Sequence, residues 1–105
     1  MSVEFSQECS WTGTYRWRNG DAKVDLSGCA AVYEILKRNG EIVLSVGLDN
    51  GYIKIEALDG DVHFRIDKED RPEIKPGQYL SRMVLTWPDG TKQCTNLEPT
   101  YISKY

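Results

Sequence analysis

A chain of 105 residues, 40% hydrophobic and 28% charged, has the size and balance of one globular domain, and a formal charge of −3 excludes the broad positive field of a general nucleic-acid binder. Three cysteines (Cys9, Cys29, Cys94), odd in number and with no CxxC pair, exclude a dense disulfide framework and a structural zinc site. The opening MSVEFSQECS has no basic-then-apolar leader pattern and no run reaches membrane-span length, so the expected setting is a reducing cytoplasm, with no membrane and no nucleic acid as partner.

In chain order, residues 1–8 read as an N-terminal arm ahead of the first strand. SWTGTYRWR follows. On a strand, Trp11, Gly13, Tyr15 and Trp17 point to one face, and Thr12, Thr14, Arg16 and Arg18 to the other. A stacking platform for nucleic acid needs rings and cations on one ligand together, and this sort separates them. The aromatics are expected in the core, leaving Arg16 and Arg18 outward as candidate partner contacts. Asn19-Gly20-Asp21 turns the chain into VDLSG (Val24, Asp25, Leu26, Ser27, Gly28), where Leu26 is expected buried and Gly28 permits a bend toward a second sheet. AAVYEILKR contains helix formers, but Asn39-Gly40 joins it directly to EIVLSVG. That tip predicts a β-hairpin.

GYIKIEA and DVHFRID alternate apolar and polar residues with period two, as half-buried strands do. Asp67 to Ile74 is polar and interrupted by Pro72, which predicts a single helical turn joining two sheets. GQYLSRMVLTW is a long strand, WPDGT a tight turn, and KQCTNLEPTYI the closing strand. Residues 98–105 read as a C-terminal tail whose Tyr101, Ile102 and Tyr105 are candidate contacts. The sum is an all-β protein: one antiparallel sandwich or barrel of seven to eight strands spanning residues 1–105.

Chemistry is sparse. The single His63 lies on the polar face of its strand, no GxSxG elbow is present, and Asp59, Asp61, Asp67, Glu69 and Asp70 lack calcium-loop spacing. No catalytic, metal or cofactor residue is expected, and no enzymatic activity. Trp87, at a strand end, is expected to cap the core with its indole N–H on a loop carbonyl. A rival reading is a carbohydrate-binding module, which requires two or three of Trp11, Tyr15, Trp17, Tyr52 and Trp87 exposed on one side.

The order of these pieces resembles a family of small structural proteins of tailed bacteriophages and prophages, and the N-terminal sandwich domain of phage baseplate upper proteins. The shared pieces are VDLSG; Asn50, Gly51, Ile53 and Ile55; Val62 and Ile66; Pro76, Gly77 and Tyr79; and Pro88, Asp89 and Gly90. They span roughly residues 11–102. Ser81-Arg82 stands where the family often has an acidic residue, and the closing strand lacks the family's glycine and valine pattern. The resemblance implies an immunoglobulin-like sandwich in a virion tail, baseplate or neck. It also implies no chemistry of its own, other phage structural proteins as partners, and repeated copies in the assembly. Tyr79 is then a corner tyrosine tying down a neighbouring loop.

Overall fold

The Asn39-Gly40 hairpin forms, though where the Asn-Gly pair predicts a two-residue turn the loop has three residues, Arg38 to Gly40: Gly40 is at φ +93°, and Lys37 and Glu41 close the loop through a 2.8 Å backbone hydrogen bond. This and the remaining strands are given by a computed structural model that describes residues 3–105. In chain order the strands are β1 (Val3–Ser6), β2 (Trp11–Arg16), β3 (Arg18–Asn19), β4 (Ala22–Lys23), β5 (Ala30–Leu36), β6 (Ile42–Gly47), β7 (Ile53–Glu56), β8 (Asp61–Ile66), β9 (Gly77–Thr86), β10 (Lys92–Cys94) and β11 (Glu98–Ser103). Eight of them have four residues or more, in line with the seven to eight expected.

Two sheets face each other. The larger runs β1-β11-β9-β5-β6, with β10 also on β9; the smaller runs β2-β8-β7; β3 and β4 make a separate small hairpin. Each strand of the two sheets turns its apolar alternate residues inward. Trp11, Val62, Phe64, Ile66 and Ile53 from the small sheet meet Tyr33, Ile35, Val46, Met83, Leu85 and Ile102 from the large one, all buried in one core. The fold is therefore the all-β sandwich that the turn spacing predicts.

The short 3₁₀ turn Lys68–Asp70 lies inside the segment expected to bridge the sheets, between β8 and β9. Just beyond it Arg71 folds back. Its guanidinium lies 4.1 Å from the Trp11 ring centroid and donates to the carbonyls of Gln7, Cys9 and Ile66 at 2.8 to 3.0 Å. That residue closes one end of the sandwich, covering the indole and satisfying three backbone acceptors.

Three expectations need correction. The N-terminal arm is not an arm over its described length: Val3–Ser6 pairs in parallel with Thr100–Ser103, while Met1 and Ser2 lie outside the described residues. The C-terminal tail is likewise a strand of the large sheet, bonded to β9 on one side and β1 on the other, and only Lys104 and Tyr105 extend past it. Ile102 consequently points into the core, fully buried, and is no partner contact. The closing segment also divides in two. Thr95 leaves β10 and fixes itself to Met83 with reciprocal hydrogen bonds, its N–H donating to the Met83 carbonyl and its hydroxyl accepting the Met83 N–H. β11 then re-pairs with β9 from Ser81 to Gly77.

Candidate interaction surface

Register places a two-sided pattern on the large sheet. Facing away from the core, Pro99, Leu80 and Leu36 lie side by side across β11, β9 and β5; a register shift after Ile35 brings Ile42 of β6 opposite Leu36. Leu36 is buried but lies outside the core cluster, which marks a second apolar layer on the outer side of the sheet. The next row is polar: Arg82 and Glu34 form an ion pair at 2.9 Å with Ser45 beside them. Beyond it Cys94, Val84, Val32 and Gly47 form another largely apolar row. No third layer covers this face among the described residues, and Ile42 is 49% exposed. A solvated sheet face is ordinarily polar, so apolar rows flanking one ion pair mark a surface suited to a partner.

The sequence-derived contacts are distributed unevenly. Tyr101 is on the same outer face, 47% exposed, in register with Glu4 and Gln78. Tyr105 is exposed at the end of the chain, with the Lys104 ammonium over its ring. Arg16 is exposed beside Asp61, at 3.9 Å, on the other sheet. Arg18 is committed within the chain: it donates to the carbonyls of Trp17 and Asp59 and pairs with Asp61 at 2.9 Å. The turn it grips is tight enough that a β-carbon at Gly60 would meet the Trp17 carbonyl at 2.6 Å. These positions do not form one cluster.

The aromatic sort in SWTGTYRWR is as expected, with Trp11 buried and Tyr15 and Trp17 packed on the core. Tyr52 and Trp87 also pack on the core, so none of the five candidate aromatics, of which a sugar platform needs two or three, stands among the exposed large hydrophobic residues. The Trp87 N–H is bound at 3.1 Å, though by the side-chain amide oxygen of Gln93 and not by a loop carbonyl.

The shared sequence pieces are architectural. Asp25 accepts from the Ser27 N–H and hydroxyl, bonds that hold its carboxyl below its ordinary pKa. Leu26 is fully buried, and Val24 packs against the core. Gly28, at φ +78°, sits where a β-carbon would come 3.0 Å from Pro88, so the VDLSG and PDG pieces touch. Asn50 accepts from the Gly47 N–H in the turn that ends at Gly51, and Asp89 accepts from the Thr91 N–H in the turn that ends at Gly90. Past Pro76 and Gly77, the Tyr79 hydroxyl donates to the Lys75 carbonyl, the tether expected of a corner tyrosine. His63 bonds only Thr14, and no group of three or more His, Cys, Asp or Glu fit to hold a metal occurs among the described residues.

The outer apolar rows are only partly legible in the sequence, because each takes its members from several strands. The signal was available: GQYLSRMVLTW carries Leu80 and Val84 on the face opposite Tyr79 and Met83, the pattern of a strand covered on both sides.

No protein-family model and no curated protein sequence matches the chain. Among solved structures it is similar to CopC from Methylosinus trichosporium, at 15% identity over 98% of this chain and 86% of that one, with a TM-score of 0.52. Drosophila OTK extracellular domains 3–5 match at 12% identity over 96% of this chain, with a TM-score of 0.42; the chain spans about a third of that structure, 32%. At such identities the first likeness concerns the fold alone.

Proposed function

We propose that this chain is a non-enzymatic assembly module of a tailed-phage or prophage particle, docking on its neighbours through the outer face of the larger, six-stranded sheet. The observation that carries the assembly reading is the outer apolar row Pro99, Leu80 and Leu36, set beside the Arg82–Glu34 pair. An apolar face with one ion pair in it gains by excluding water and fixes register by charge, as interface cores do. The particle is supplied by the order of the VDLSG, PGxY and PDG pieces, which in this chain build turns and a tyrosine tether and carry no reactive group.

Sedimentation of particles from an induced culture tests it. The chain is expected in the tail-containing fraction, and Leu80→Lys, at a partly exposed site in the middle of that row, is expected to leave the fold intact while removing the chain from particles. Recovery of the unmodified chain wholly in the supernatant would overturn the reading.

A further inference from the structure

The smaller sheet leaves its β2 edge open. β2 is bonded to β8 alone, and because Trp17, of the same parity as Gly13 and Tyr15, donates to Gly60, the outward backbone groups are those of Thr12 and Thr14, which have no strand partner among the described residues. That edge lies over β1: Phe5 stacks on Trp11 at 4.9 Å at one end, and a slot of about 260 Å³ opens at the other. The slot is lined by Val3, Thr12–Tyr15, Tyr33, Phe64 and Glu98. Its volume is below the range of about 300–1,000 Å³ usual for small-molecule sites, and suits one long side chain.

Glu98 supplies the chemistry. It shares the β-row of Ser81, on the inner side of the large sheet, and lines the slot from below. No ion pair among the described residues includes its carboxylate. Its charge bears on Tyr15, whose hydroxyl is pushed up to about 12, first by burial and then by Glu98. A partly buried carboxylate facing the rings of Tyr15, Tyr33 and Phe64 matches a cation on a long apolar stem: the ammonium or guanidinium meets Glu98 while the stem crosses the aromatics.

We propose that the β2 edge and this slot together receive an extended strand of a partner protein, with one inward Lys or Arg side chain seated against Glu98. The incoming strand bonds the outward groups of Thr12 and Thr14 at the usual spacing of about 4.8 Å and becomes a fourth strand of the small sheet above β1. Backbone pairing supplies affinity, and the buried charge supplies selection among strands. This rests on the assembly reading only in that the occupant is a protein strand.

The test is a titration of the ¹⁵N-labelled chain with the blocked peptide acetyl-Thr-Val-Lys-Val-Thr-amide, and with the same peptide carrying Glu in place of Lys. Amide shifts are expected over Thr12–Tyr15 and newly slowed hydrogen exchange at Thr12 and Thr14, with the Lys peptide at least about fivefold tighter than the Glu peptide. Glu98→Gln is expected to erase that preference while leaving weak pairing with both. Absence of localised shifts at millimolar peptide overturns the proposal, as does equal affinity for the two peptides. Acetyl-lysine-methylamide binding as tightly as the peptide would also overturn it, by making the slot a small-amine site. The readout needs no particle, so its failure leaves the docking face standing, and loss of particle incorporation leaves the peptide site standing.

Discussion

A β-carbon on Gly13 would lie 2.5 Å from Cε1 and 2.7 Å from Cζ of Phe64, its cross-strand partner on β8. The missing side chain lets the ring lie across β2 and stack on Tyr33 of the other sheet at 4.0 Å. Both rings are buried, and moving Phe64 away breaks its stack on Tyr33. Gly13→Ala is therefore expected to cost about 1–3 kcal/mol through overpacking. Urea unfolding reads this as a lower midpoint at unchanged slope, and a midpoint equal to that of the parent would show that Phe64 is free to move.

Arg71 does two jobs that a lysine cannot do together. Its planar fork reaches three carbonyls while its face covers Trp11. Arg71→Lys retains the charge but leaves acceptors unmet, and a loss of about 1.5–3 kcal/mol is expected. Thermal or urea denaturation measures it; a Lys variant as stable as the parent would reduce the contact to simple charge.

Alkali should unfold the protein through its interior phenols. Burial is the main cause that pushes Tyr15 up to about 12 and Tyr33 higher still. An unfolded tyrosine gives up its proton near pH 10, about two units below the folded Tyr15, so above pH 10 the unfolded state binds fewer protons. Stability is accordingly flat below that pH and falls as pH rises above it. Urea midpoints measured from pH 9 upward should show this decline, and Tyr33→Phe should flatten it. An unchanged slope in that variant would assign the decline elsewhere.

The three thiols should separate by access. Cys9 and Cys94 are exposed, while Cys29 is buried with its thiol pKa raised by burial and then by Asp25. A colorimetric thiol reagent at pH 8 is expected to label Cys9 and Cys94 rapidly and Cys29 only on unfolding. Three equally fast thiols would mean that the Leu26–Cys29 crossing opens in the native state.

Local signals carried the strands. Asn39-Gly40 and Pro88-Asp89-Gly90 encode hairpins within a few residues, and period-two alternation in DVHFRID places Val62, Phe64 and Ile66 inward without reference to the rest of the chain. What stayed hidden depends on distant partners. VEFS is four residues long, too short to announce itself, and becomes a strand only because Thr100–Ser103 lies ready beside it. Arg18 looked free because its acceptors, Asp59 and Asp61, are some forty positions away, 41 and 43 in sequence. The carboxylate of Glu98 and the open edge of β2 lie 84 to 86 positions apart, and no pattern of letters links them.

The parallel pairing of Val3–Ser6 with Thr100–Ser103 has a consequence for synthesis. As the ribosome delivers the chain, the first strand emerges before every other element and has nothing to bond until the last strand is released. Phe5 must meanwhile stay unburied while β11, its neighbour at Ile102, is still in the exit tunnel. Contacts between β1 and β11 make this a high-contact-order fold, with folding expected in milliseconds to seconds and chiefly after β11 has left the exit tunnel. A truncated chain stopping before Glu98 would present β9 with a vacant edge and Phe5 without cover, and is expected to aggregate.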